Sequence, residues 1–75
     1  MKPVPAPSFL DSCEPMGARG GRKRWRRRDL KRIYTWDETH GEIEAFNERG
    51  QHVGVLDGGT GKMIKPAVPG RRIDV

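Results

Sequence analysis

The sequence predicts a mainly β fold of the small α+β class, an antiparallel sheet of three to five strands behind a short N-terminal helix or coil. Three observations carry that expectation. Residues 31–37 (KRIYTWD) and 42–47 (EIEAFN) alternate side-chain character with a period of two, the mark of half-buried strands. Glycine-bearing stretches, NERGQ and DGGTG, stand between the apolar runs as turns do. With 75 residues, 33% hydrophobic and 33% charged, the chain has material for one domain and one packed sheet face. A chain of this size buries only roughly 60% of its unfolded surface, so the core is modest.

The chain divides into a proline- and glycine-rich lead-in, residues 1–21, and a β-domain, residues 22–75. MKPVPAPS should be extended, because proline fixes φ and restricts the residue before it. Ser8–Glu14 has room for one or two helical turns with Ser8 as cap before Pro15 intervenes; the alternative is a coil lying over the sheet through Phe9 and Leu10. Met16–Gly21 is then a glycine-containing joint. Nine of the fifteen Lys and Arg residues follow between Arg19 and Arg32, and the net charge is +5. Such density reads as a phosphate-contacting surface made by Arg22, Lys23, Arg24, Arg26, Arg27, Arg28, Lys31 and Arg32, with Lys62 and Arg72 added further on. Trp25 within it either stacks on a base or folds onto the core.

Next comes the expected hairpin. If Glu38–Gly41 form its loop, Asp37 lies opposite Glu42 and Trp36 opposite Ile43. Asp37, Glu42 and Glu44 then share one face, and Tyr34, Trp36, Ile43 and Ala45 the other. Crowded like charges are unfavourable on neighbouring strand positions, so the acidic face implies a task. A three-residue loop at Glu48–Gly50 pairs Ala45 with Val53 and Ile43 with Val55, and drops His52 onto the Glu44 face; another register moves His52 to the packed face. Two imidazoles among three carboxylates are the groups that general acid–base chemistry uses. Gln51–Leu56 is the third strand. DGGTG is a turn, since it lacks the spacing and the following helix of a phosphate-binding loop. Lys62–Lys65 can form a fourth strand and Arg71–Val75 a final edge strand that returns Arg71 or Arg72 over the charged face.

Some function classes are excluded. The single cysteine, Cys13, makes no internal disulfide and reads as an incidental thiol. No apolar run approaches the roughly 20 residues that span a bilayer, and no secretory signal heads the sequence. From Asp37 to Asp57 six acids face Arg49 alone, which speaks against a protein that merely coats RNA.

The order RKRW, IYTWDETHGEIEAF, GQHVGVLD and PGRRI resembles the cytotoxic ribonuclease domain of the E-type and cloacin-type colicins, related pyocins and contact-dependent toxin tips, over roughly residues 22–75. The resemblance implies a strongly twisted antiparallel sheet and a metal-independent, cofactor-free endoribonuclease that cuts small-subunit ribosomal RNA at the decoding site. It puts the catalytic aspartate, histidine, glutamate and arginine on Asp37, His40, Glu44 and Arg71, and supporting pocket positions on Glu42 and His52; Tyr34 is counted with that pocket. It further implies a monomer when free, an acidic immunity protein as partner, synthesis in a bacterial cytoplasm and action in that of a target bacterium. The receptor-binding and translocation regions of a full colicin are absent from these residues, so an excised toxin domain or an orphan module is expected. The rival class is a basic RNA- or ribosome-binding β-domain without catalysis, or a decayed toxin. A zinc nuclease built on the same histidines and acids is a second rival.

Overall fold

Alternation along each segment sets the sheet, and glycines close its turns. The computed structural model describes all residues, 1–75. Six strands run in sequence order as an antiparallel meander: β1 (Glu14–Arg19), β2 (Arg22–Arg27), β3 (Arg32–Asp37), β4 (Glu42–Asn47), β5 (His52–Asp57) and β6 (Met63–Pro66). One 3-10 turn, Phe9–Ser12, precedes them. The sheet is thus one strand wider than the upper expectation, and the N-terminal helix is reduced to a single turn.

The extra pairing is the β1–β2 hairpin, in what had been expected as a glycine joint and a basic arm. Gly20 and Gly21 both take positive φ, 61° and 77°, as a tight two-residue hairpin turn demands. The basic run hid a strand because both of its faces are polar: Arg24 and Arg26 point one way, and of Lys23, Trp25 and Arg27 on the other only Trp25 is apolar. Glu14 on β1 pairs with Arg26, and its carboxylate accepts from the Arg26 guanidinium at 3.0 Å.

The central hairpin has the expected register, Asp37 opposite Glu42 and Trp36 opposite Ile43. The next one differs by a residue. Ala45 pairs with Gly54 rather than Val53, and Ile43 with Leu56 rather than Val55, because a bulge between Ala45 and Phe46 absorbs Val53. That bulge keeps His52 opposite Phe46, on the Glu44 face, while it turns Leu56 onto the packed face. After Pro66 the chain adds no further strand; only Arg72 bridges to Gln51.

Two layers cover the sheet. On one face Tyr34, Ile43, Ala45 and Leu56 pack with Leu10 and Cys13 of the N-terminal segment. Ser8 caps the 3-10 turn by accepting from the Leu10 amide, and its hydroxyl donates to the Gly58 carbonyl, which pins the roof to the β5–β6 loop. Cys13 is buried there, and burial pushes its thiol pKa up. On the opposite face the buried apolar residues are Ile33, Phe46 and Val55, among the buried polar residues Arg24, Thr35, Glu44 and His52. This second, smaller apolar layer went beyond the single packed face that composition allowed. No helix is long and apolar enough to cross a membrane.

Candidate active site

Asp37 ends β3, and its carboxylate builds the loop that follows. Oδ1 accepts from the amides of Thr39 and His40 at 3.0 and 3.2 Å, and the Gly41 amide closes the turn on the Asp37 carbonyl at 2.7 Å. Gly41 takes φ 70°, which a residue with a side chain adopts only under strain. The loop so bent returns the imidazole of His40 to its own base: Nδ1 lies 2.8 Å from Asp37 Oδ2. Partial burial works to raise the Asp37 pKa, but the His40 ring and the two amides outweigh it and hold the carboxyl below its ordinary value. An ionised Asp37 favours a proton on Nδ1, which leaves Nε2 as the ring nitrogen outside that pair.

Glu44, in the middle of β4, is 7% exposed. Its Oε1 accepts from Arg71 Nη1 at 2.6 Å and faces His52 Nε2 at 3.4 Å. Both contacts fall on one oxygen, so Oε2 is left for a ligand. His52 is fixed from three sides. Its backbone amide donates to the Arg71 carbonyl at 3.0 Å, its Nδ1 accepts from the Val68 amide at 2.9 Å, and its ring stands edge-on to Phe46 with centroids 5.4 Å apart. A ring nitrogen that accepts carries no proton, so the His52 proton sits on Nε2, toward Glu44. His52 Nε2 thus faces Glu44 without a hydrogen bond, and His52 seats the C-terminal segment through its contacts with Val68 and Arg71.

Asp37, His40, Glu44 and Arg71 line one cleft of about 510 Å³, joined there by Arg22 and Arg72. Glu42 stands beside the first pair without lining the cleft, and its Oε1 is tied to Lys65 Nζ at 3.0 Å. Tyr34 is not part of the pocket: it is 2% exposed on the packed face and meets Phe9 edge-on, because its strand position has the opposite parity to Asp37 and Thr35. The structure corrects its assignment to a core residue.

The basic residues separate by face. Arg22, Arg24 and Arg26 lie on the side of the cleft. Trp25 packs against the core cluster, and Lys23 lines a second hollow with Trp25 and Trp36. Arg27 makes two hydrogen bonds to Asp29 and lies 6.0 Å from the Phe9 ring centroid, a structural use on the packed side. Arg28 pairs with Glu14, and Arg32 donates to the Leu30 and Lys31 carbonyls; Lys31 and Lys62 are exposed in or beside turns. Sequence reasoning missed Lys65, Phe46 and Asp74. The period-two spacing of KMIK put Lys65 on the Glu44 row through Val55, a signal that was available. The Asp74 contact comes from a segment with no periodicity to read.

Donor atoms of Asp37, His40 and Glu42 lie within 4.8 Å of one another, a spacing that suits a metal ion. Each also has a partner within the protein, Asp37 with His40 and Glu42 with Lys65.

Comparison with known proteins places this arrangement. A family model described as Cytotoxic matches residues 11–74. Cloacin from Escherichia coli is 41% identical over 58 residues, 76% of this chain and 10% of cloacin. Colicin E3 from Escherichia coli is 44% identical over 55 residues, 72% of the chain, and Colicin-E6 from the same organism is 40% identical over 58 residues. The chain thus spans about a tenth of the length of these relatives. It belongs to the cytotoxic-domain family of colicin E3 type, and is a toxin domain.

Proposed function

We propose that this domain is a metal-independent endoribonuclease that cuts small-subunit ribosomal RNA at the decoding site and so halts translation. One observation carries the reading: a histidine–aspartate pair and a glutamate–arginine pair face a common cleft on a strongly basic chain. RNA brings its own nucleophile, so the protein has to move protons and stabilise charge. Glu44, through Oε2, takes the proton of a ribose 2′-hydroxyl. That oxygen bonds to the adjacent phosphorus, and the bond from phosphorus to the 5′-oxygen breaks, leaving a 2′,3′-cyclic phosphate. His40, with Asp37 behind it, gives its proton to the departing 5′-oxygen. Arg71 lies against the phosphate and offsets the charge that grows on its oxygens. His52 takes no proton in this scheme, since Nδ1 is committed to Val68. Arg22 and Arg72 hold the flanking strand by its phosphates.

The ribosome is accordingly the target, and an acidic immunity protein is the partner that the basic face suits. Intact ribosomes incubated with the domain should yield one discrete fragment from the 3′ end of the small-subunit RNA. His40→Ala and Glu44→Gln should each reduce the rate of the folded protein by at least about 10²-fold, more than any accompanying loss of stability explains. Cleavage that disappears with a chelator would point instead to the zinc nuclease, and binding without a fragment to a plain RNA-binding module.

A further inference from the structure

Below the cleft, on the same face of the sheet, lies a second hollow of about 410 Å³ that the cleavage chemistry does not use. Arg19, Arg24, Arg26, Arg27 and Arg32 line it, with Glu48 as a lining carboxylate. Arg24 is 8% exposed, and the buried Nε–H groups of both Arg24 and Arg26 have no hydrogen-bond partner. Unmet donors of this kind are costly in a folded protein and mark a place that an acceptor should fill. The other edge of the Arg24 fork is taken by the C-terminal segment. Arg24 Nη1 donates to the Asp74 carbonyl at 2.6 Å and Nη2 to Asp74 Oδ1 at 2.9 Å, while Arg19 Nη1 lies 3.5 Å from Oδ2. The Asp74 side chain is 77% exposed and grips Arg24 and Arg19 from the solvent side, its contact with the exposed Arg19 being of small net worth.

The position bears on the substrate. Arg24 pairs with Thr35, which pairs with Glu44, so Arg24 stands two strands away, about 10 Å at the usual strand spacing. We propose that the arginine hollow is a phosphate subsite for the RNA strand, two of whose arginines, Arg24 and Arg19, are engaged in the free protein by Asp74, whose carboxylate competes with the RNA backbone for them and is displaced when RNA seats. Arginine forks take two acceptors at once, which the two non-bridging oxygens of a backbone phosphodiester supply, whereas Asp74 gives Arg24 one carboxylate oxygen and a backbone carbonyl. This rests on the nuclease reading for its substrate and adds to it a second anchoring point with an internal competitor.

The test uses the full chain and a short fluorescent oligoribonucleotide that is 2′-O-methylated throughout, which lacks the nucleophile, so binding is read without cleavage. Asp74→Asn should tighten binding several-fold and steepen the plot of log affinity against log salt by about 0.7, the amount one more single-strand phosphate contributes. Arg24→Gln added to Asp74→Asn should remove the gain. In ¹⁵N-labelled protein the Arg24 and Arg26 Nε–H resonances should shift with inorganic phosphate, and at lower concentration in Asp74→Asn. If Asp74 only ties down the chain, its replacement weakens binding with no change in slope, which overturns the proposal. A gain that survives Arg24→Gln overturns it too, as does a response to inorganic phosphate without one to the oligoribonucleotide. Ribosomes left uncut by a protein that passes these tests would refute the nuclease reading alone.

Discussion

Asp37 carries two tasks at once, a turn and a charge. Its lowered pKa means that the folded state binds a proton less readily than the unfolded chain, whose aspartates titrate near about 3.9. The stability it contributes is therefore complete above that value and is lost as pH falls through the lower folded value. Asp37→Asn keeps an acceptor for the Thr39 and His40 amides but has no charge to lose. Melting temperatures followed from neutrality to about pH 2 should fall less steeply below about pH 4 for this variant than for the parent. Equal slopes would mean that the His40 pair adds nothing to folding. His52 shows how far single residues were legible. Its place among the carboxylates could be read from the hairpin spacing, although through a bulge that the loop rule did not foresee. Its tautomer could not be read, since that depends on the amide of Val68, a residue whose own side chain gives no hint of the contact.

At the scale of elements, strands with an apolar and a polar face were legible and strands without them were not. β3, β4 and β5 announce themselves by alternation. β1 and β2 carry one aromatic between them, and β1 is exposed along its whole length, so pairing with a neighbour rather than burial defines it. The C-terminal segment is the opposite case, expected as a strand and found as a strap. It leaves a single bridge at Gln51–Arg72, then the Ile73 amide donates to the Gly50 carbonyl at 2.8 Å, and Asp74 reaches Arg24. Gly50 makes the crossing possible: at φ 81° it has no side chain, and a Cβ there would collide with the Ile73 carbonyl. Gly50→Ala should cost about 1–3 kcal/mol from the backbone conformation alone. It should also lower cleavage further than the loss of folded protein explains, because the strap that brings Arg71 is pushed away. Gly21→Ala, at φ 77° with open space around it, is the control: it should lower stability by denaturant unfolding and leave the turnover of the folded fraction unchanged.

Over the whole molecule, charge is sorted rather than spread. The net charge of +5 combines an acidic hairpin with a basic β2 and a basic segment at Arg71–Arg72, and the latter two border the cleft from either side. Contacts to phosphate release counterions, so association depends on salt, while proton transfer inside the cleft does not. Raising the salt concentration should therefore lower kcat/KM on ribosomes steeply and leave kcat at saturation nearly constant. A parallel loss in kcat would show that the flanking arginines, Arg22 and Arg72, act on the bond-breaking step as well as on capture. Composition conveyed this basic character from the outset, whereas its division between the two faces required the parity of β2.

Because every strand pairs with its neighbour in sequence, the sheet can be laid down progressively from the N-terminal side, with short closures throughout. The Asp37–His40 pair belongs to a single hairpin and its loop, but the cation beside Glu44 comes from residue 71, after the final strand. An incompletely formed chain therefore holds an acid without the guanidinium that completes the cleft. On the proposed nuclease reading, cleavage awaits the seating of residues 71–75 and is the first property lost when that segment comes loose.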